Sequence, residues 1–203
     1  MLKWLLVLCL AFTATLGAEI KVLAFSGSMR KESANKKLVI EAANMATKLG
    51  ATVTVINLED YSMPFYDADL EAEKGLPANA KRLRQLMMDS QVIFIASPEY
   101  NSSLSAILKN TLDWATRDEH GAPSREAFSG KTFAIMSASP GPGGGSRGLV
   151  HLKSVIENAG GKIIPQTLSI PNSYDAFDAE GHLKDSKLKN ELENLVQQAI
   201  SSR

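Results

Sequence analysis

Cysteine occurs once in the 203 residues, at Cys9 near the N-terminus. The rest of the chain therefore has no thiol for a disulfide, a covalent thiolate intermediate, a Cys-ligated zinc or an iron–sulfur cluster. Histidine is almost as scarce. His120, His151 and His182 are scattered, with no i,i+4 pair and no carboxylate at ligand spacing, so they read as solvent-facing or capping side chains. Net charge is missing too. Lys+Arg and Asp+Glu are both 22, which gives no electrostatic case for nucleic acid. It also argues against a strongly charged electron-carrier docking face. Nor is there a long apolar run. The stretch Trp4 to Leu16 falls short of the roughly 20 residues a helix needs to span a bilayer, so no stable membrane span is expected. Lys3 precedes that stretch and Leu16-Gly17-Ala18 follows it. A basic start, a short apolar core and a small-residue exit are the parts of a secretory signal peptide, here residues 1–18. Export to the periplasm or medium is the expectation. A cytoplasmic protein with a different start, or with an extra apolar element on its core, is the alternative.

Apolar residues make up 44% of the chain and charged residues 22%, the balance of a globular protein. Repeats, low-complexity runs and linkers are lacking, so residues 19–203 read as one domain. Strands are predicted at Ile20–Phe25, Thr52–Leu58, Gln91–Ser97, Lys131–Ala138 and Lys162–Ile170, the last interrupted by Pro165. Helices are predicted at Ala34–Leu49, Asn79–Asp89, Ser103–Thr116, from the glycine-rich segment 141–148 to Ala159, and at Leu183–Ile200. Residues 59–78 read as a long loop. This alternation predicts an α/β fold with a parallel sheet covered on both faces. In such a sheet ligands sit beyond the carboxyl ends of the strands.

Three loops at those ends are chemically unusual. The first runs from Ser26 to Asn35 and offers the hydroxyls of Ser26, Ser28 and Ser33, the Asn35 amide and the Arg30 guanidinium, at the start of a helix. Such a loop suits a phosphate dianion. It is neither a Walker loop nor a G-x-G-x-x-G turn, and an ordinary capped strand–helix turn remains the alternative. The second, Pro98-Glu99-Tyr100-Asn101, leaves backbone N–H groups that could read the edge of a flat heterocycle, with Tyr100 by the ring. Alternatively, Tyr100 is simply a loop aromatic. The third, Ser139 to Arg147, holds three consecutive glycines, permitting close backbone approach to a ligand or a flexible surface loop.

Ser-Gly-Ser-x-Arg-x-x-Ser-x-Asn, Pro-Glu-Tyr-Asn, Leu-Lys-Asn-x-x-Asp-Trp at Leu108–Trp114 and Gly-Gly-x-Arg at Gly144–Arg147 occur in this order. The set resembles the NADPH-dependent FMN reductase family of quinone, chromate and azo-dye reductases, over about Ile20 to Ile200. The resemblance implies a flavodoxin-like fold, a three-layer sandwich with a five-stranded sheet ordered 2-1-3-4-5. It implies FMN as cofactor and NADPH or NADH as donor. Ser26, Ser28, Arg30, Ser33 and Asn35 would bind the FMN phosphate. Pro98, Glu99, Tyr100 and Asn101 would support the ring. Ser139 and Gly144 would close the far side, and Arg147 would lie near the flavin or a subunit contact. It implies small-molecule electron acceptors and a homodimer or homotetramer.

No protein acid or base is needed for hydride transfer from nicotinamide to flavin, which fits the absence of a catalytic motif. Two other readings stay open. One is an FMN electron-transfer protein without NAD(P)H activity. The other is a serine hydrolase, disfavoured because G-x-S-x-G is absent.

Overall fold

The computed structural model describes residues 19–202. The expected signal segment, with Cys9, lies outside the described residues. The sheet is built from β1 (Lys21–Ser26), β2 (Thr52–Asn57), β3 (Val92–Ala96) and β6 (Thr132–Ala138). Two short strands, β7 (Lys162–Ile163) and β8 (Leu168–Ile170), complete it. All pairings in this sheet are parallel and the order is β2-β1-β3-β6-β7, with β8 also on β6. The expected doubly wound order is therefore present. The fifth strand differs from the expectation in being two pieces. Pro165 lacks a donor and falls between them, so β6 is followed first by β7 and then by β8.

Helices α1 (Ala34–Lys48), α3 (Ala78–Asp89), α4 (Ala106–Ala115), α5 (Ser146–Asn158) and α6 (Ser186–Ser201) cover the sheet. Side chains alternate across a strand, and the central strands are apolar on both faces. Val22, Ala24, Val92, Phe94 and Met136 pack beneath α1 and α6 with Leu38, Ala42, Leu192 and Val196. Leu23, Phe25, Ile93, Ile95 and Ile135 pack beneath α3, α4 and α5 with Leu83, Leu108, Leu112 and Leu152. Burial of this kind contributes about 25 cal/mol per Å² of apolar surface and is the main stabilising term.

Three other expectations are corrected. Residues 59–78 are not a plain loop, because they hold a 3-10 turn at Leu58–Tyr61 and α2 (Ala68–Lys74). The α2 sequence has no apolar stripe. It is fixed instead by its Asp67 cap, whose carboxylate accepts from Asp69 N and Leu70 N, and by the buried Glu71–Arg117 ion pair at 2.8 Å. Residues 99–104 precede the fourth helix as a hairpin, β4 (Glu99–Tyr100) with β5 (Ser103–Leu104). Its two-residue turn needs positive φ at both positions, and Asn101 and Ser102 have φ of 51° and 66°. Finally, α6 begins at Ser186 with Asp185 as its cap, not at Leu183. Residues 177–183 instead form a small hairpin bridged at Phe177 and Leu183.

Candidate functional site: a cleft at the carboxyl edge of the sheet

The carboxyl ends of β1, β3, β6 and β8 open into one cleft. The first loop supplies Ser28, Arg30, Ser33 and Asn35 to its lining, and the second supplies Pro98, Glu99 and Tyr100. Ser139 and Pro140 come from the third. A fourth wall comes from Ser173, Tyr174 and Phe177, which follow β8.

In the first loop each serine oxygen braces the backbone. Ser26 Oγ accepts from Ser28 N at 3.1 Å, and Ser28 Oγ accepts from Arg30 N at 3.3 Å. Ser33 caps α1 by accepting from Asn35 N at 3.2 Å. As acceptors, these hydroxyls keep their protons for donation. Ser28 and Ser33 turn into the cleft, whereas Ser26 is buried in the turn and does not line it. The Arg30 side chain is exposed at the rim. Helix α1 points its first turn here, where N–H groups have no intrahelical partner and the dipole favours an anion. Asn35 has a different occupation. Its Nδ2 donates to Ala138 O at 2.8 Å and its Oδ1 accepts from Ala138 N at 2.9 Å. The side chain thus clips the first loop to the end of β6.

Pro98 and the hairpin form the second wall. The Glu99 carboxylate is spent on α5, with one oxygen 2.6 Å from Arg147 Nη2 and the other accepting from Gly148 N at 2.9 Å. Burial works to raise its pKa, but the Gly148 N–H and the Arg147 guanidinium outweigh it, and the net shift is downward. Asn101 sits at the exposed hairpin turn and does not line the cleft. Ser105 caps α4 and donates to Gly27 O at 2.6 Å, which joins the second loop to the first.

Two residues of the third loop lie outside the cleft lining. Gly144 does not line the cleft. Its φ is +59°, and a Cβ there would lie 2.9 Å from backbone atoms of Ser169 and Ile170. Its smallness serves packing against β8. Arg147 lies outside the cleft lining and is held by Glu99. Ser139 remains in the wall, its N–H donating to Ile170 O at 3.1 Å and its carbonyl accepting from Ser173 N at 3.1 Å.

Sequence reasoning missed Ser173, Tyr174 and Phe177, because no motif marks them. The only available signal was their place after the last strand. The Leu108–Trp114 motif does not line the cleft and ties α4 to the segment around Pro64. Asn110 Nδ2 and Trp114 Nε1 both donate to Pro64 O, at 2.9 and 2.8 Å. Asn110 Oδ1 accepts from Tyr66 N at 2.8 Å. Among the described residues no helix is long and apolar enough to cross a membrane. No group of three or more His, Cys, Asp or Glu among them is placed to hold a metal.

A family model described as NADPH-dependent FMN reductase matches residues 20–175. The chain belongs to that family. An NAD(P)H-dependent FMN reductase of Pseudomonas aeruginosa is 33% identical over 181 residues, covering 88% of this chain and 92% of the relative. An NADPH:quinone oxidoreductase of Arabidopsis thaliana is 33% identical over 180 residues, covering 87% and 88%. Among solved structures, FerB, a flavoenzyme NAD(P)H:(acceptor) oxidoreductase from Paracoccus denitrificans, superposes with a TM-score of 0.73 at 26% identity. That superposition covers 90% of this chain and 96% of the other. The fold of FerB thus matches that of this chain over nearly its whole described length.

Proposed function

We propose that the protein is an NAD(P)H-dependent flavin oxidoreductase whose cleft holds FMN and whose acceptors are quinones or similar small molecules. The observation that carries the assignment is the donor set at the start of α1. Ser28 and Ser33 have protons to give, Arg30 stands at the rim, and the helix terminus adds its dipole. Two carboxylates line the cleft: Glu99 is turned to Arg147 and Gly148, and Glu32 stands in the first loop, where Arg30 and Lys37 supply cations to the same lining. A phosphate dianion fits such a set. The ring then lies toward Pro98, Glu99 and Tyr100, closed by Ser139 and the Ser173–Phe177 wall. FMN supplies the redox chemistry, accepting hydride from the nicotinamide and passing electrons to the acceptor. The chain's own part is to bind, orient and exclude water.

A homodimer or homotetramer is part of this proposal. Met29, Tyr100 and Ile107 meet in a shallow cleft beside the site, with Met29 46% and Tyr100 51% exposed. Apolar side chains gathered at a surface mark contact sites. Export is also part of it, supported by the pattern of residues 1–18 alone and tested by the N-terminal sequence of the mature protein.

The deciding experiment is a visible spectrum of the purified protein, supplied with FMN and desalted, before and after anaerobic NADPH. A retained yellow chromophore that bleaches supports the proposal. A retained chromophore that stays oxidised indicates an electron-transfer protein reduced only by a partner. A colourless protein overturns the assignment of the cleft.

A further inference from the structure

Two cations line the cleft, and only one of them, Lys37, comes from a helix. It ends the first turn of α1 and is half-buried. Helical side chains lean toward the N-terminus of their helix. The Lys37 ammonium is thereby carried back toward Ser33, where the first-turn N–H groups open into the cleft. Its neighbour Lys36 is occupied elsewhere, on Glu59 at 3.2 Å. Among the described residues Lys37 forms no ion pair.

The stem of Lys37 is held as well. The hairpin 177–183 is fastened to α1 by Leu183 N, which donates to Glu41 Oε2 at 3.0 Å. This lays Gly181 against Lys37. A Cβ at Gly181 would lie 3.7 Å from Lys37 Cγ and 3.9 Å from its Cβ and Cδ. The methylenes thus rest on the hairpin while the charged end stays at the cleft, the usual division of a lysine between apolar and wet surroundings.

The charges around Lys37 decide what it adds. Arg30 and Glu32 both line the cleft from the first loop. Their formal charges cancel at neutral pH. Glu99 is matched by Arg147. Without Lys37 the lining would carry no net charge, and the helix terminus alone, worth roughly half a charge, would favour an anion. The hydroxyls of Ser28 and Ser33 can donate to a neutral oxygen as readily as to a phosphate. Lys37 makes the lining net positive. It is therefore the group that separates a phosphate dianion from an uncharged end of the same ligand.

We propose that Lys37 makes the cleft selective for the phosphorylated flavin, binding the phosphate as a point charge from α1, and that Glu32 moderates this preference. The proposal rests on the proposed function, because it takes FMN as the ligand of the cleft. Lysine suits the task, since its three rotatable donors meet a phosphate without the fixed fork of an arginine. Arg30 and Lys37 then approach the phosphate from different elements, one from the loop and one from the helix.

The test is the dissociation constant of FMN and of riboflavin, read by quenching of flavin fluorescence on the flavin-free full chain. Lys37→Gln should bind FMN about tenfold more weakly and riboflavin as before. Lys37→Arg keeps the charge and should return FMN to within about threefold of the wild type. Glu32→Gln should bind FMN about threefold more tightly, with riboflavin unchanged. Rising ionic strength should weaken FMN more in the wild type than in Lys37→Gln, which lost packing against Gly181 would not produce. Equal weakening of FMN and riboflavin in Lys37→Gln makes Lys37 a support of the hairpin and overturns the proposal. So does an unchanged FMN affinity in that variant, whether or not its KM for NADPH rises; a rise would assign Lys37 to the nucleotide. In that case the wild type still binds FMN and the proposed function stands. A wild type that binds neither flavin overturns the proposed function and the role of Lys37 together.

Discussion

The first and third loops are written in small residues and do opposite work. Both follow a buried strand, both open a helix, and both are built largely of small residues, serine in the first and glycine in the third. In the first, Ser28 and Ser33 accept from their own backbone and present their protons to the cleft. In the third, Gly144 turns inward, where a Cβ would meet the backbone of β8, and at Gly145 one would meet the Ser137 side chain of β6. Small residues signal that something approaches closely. In one loop the approaching body is proposed to be a ligand, and in the other it is the protein's own sheet.

The comparison is most easily broken at Gly144. Gly144→Ala should cost about 3 kcal/mol of stability, from overpacking against Ile170 added to left-handed strain, read as a lower denaturation midpoint. If instead the variant folds normally and loses only flavin, the third loop is a ligand loop after all. Asn35→Ala should have the next largest effect, about 2 kcal/mol, because it leaves Ala138 N–H and C=O without their partner. As a clip between loops, its loss should weaken FMN and riboflavin in equal ratio. A loss confined to FMN would make Asn35 a phosphate ligand. Arg30→Ala sharpens the same contrast from the other side. Its guanidinium is exposed, so stability should not change, while FMN should bind about tenfold more weakly and riboflavin as before. The smallest effect is at Glu99. Its pKa is net lowered, so its ion pair adds stability above the ordinary carboxylate range and loses it as pH falls through the lowered value. The stability gap between the wild type and Glu99→Gln should therefore narrow between pH 5 and 3, as followed by thermal melts.

The sheet was readable in the sequence because β1, β3 and β6 are buried on both faces and leave nearly unbroken apolar runs. The fifth strand was readable only in outline, since Pro165 divides it in a way that depends on how far β6 extends. Helix α2 was hidden because no apolar stripe marks it, and the Arg117 that pairs with its Glu71 lies 46 residues away. The hairpin at 99–104 was hidden because Ser102 carries a positive φ that serine rarely takes. Within the candidate site, the first loop could be located from its hydroxyls and its helix. The Ser173–Phe177 wall could not, because nothing local distinguishes it from a surface turn. Glu41 sits one position before Ala42 in an otherwise ordinary amphipathic helix, and its burial follows from a hairpin 142 residues later.

The bonds that join the cleft's walls reach far along the chain. Ser105 to Gly27 spans 78 positions, Asn35 to Ala138 spans 103, and Leu183 to Glu41 spans 142. Closing such separations is slow and late in folding. During synthesis the first loop is among the first segments of the domain to leave the ribosome, yet its partner at Ala138 and the wall at Phe177 do not exist until most of the chain has followed. A half-made chain therefore has no cleft to fill. Loading of a cofactor becomes a step that waits for the finished polypeptide, wherever in the cell that polypeptide finishes folding.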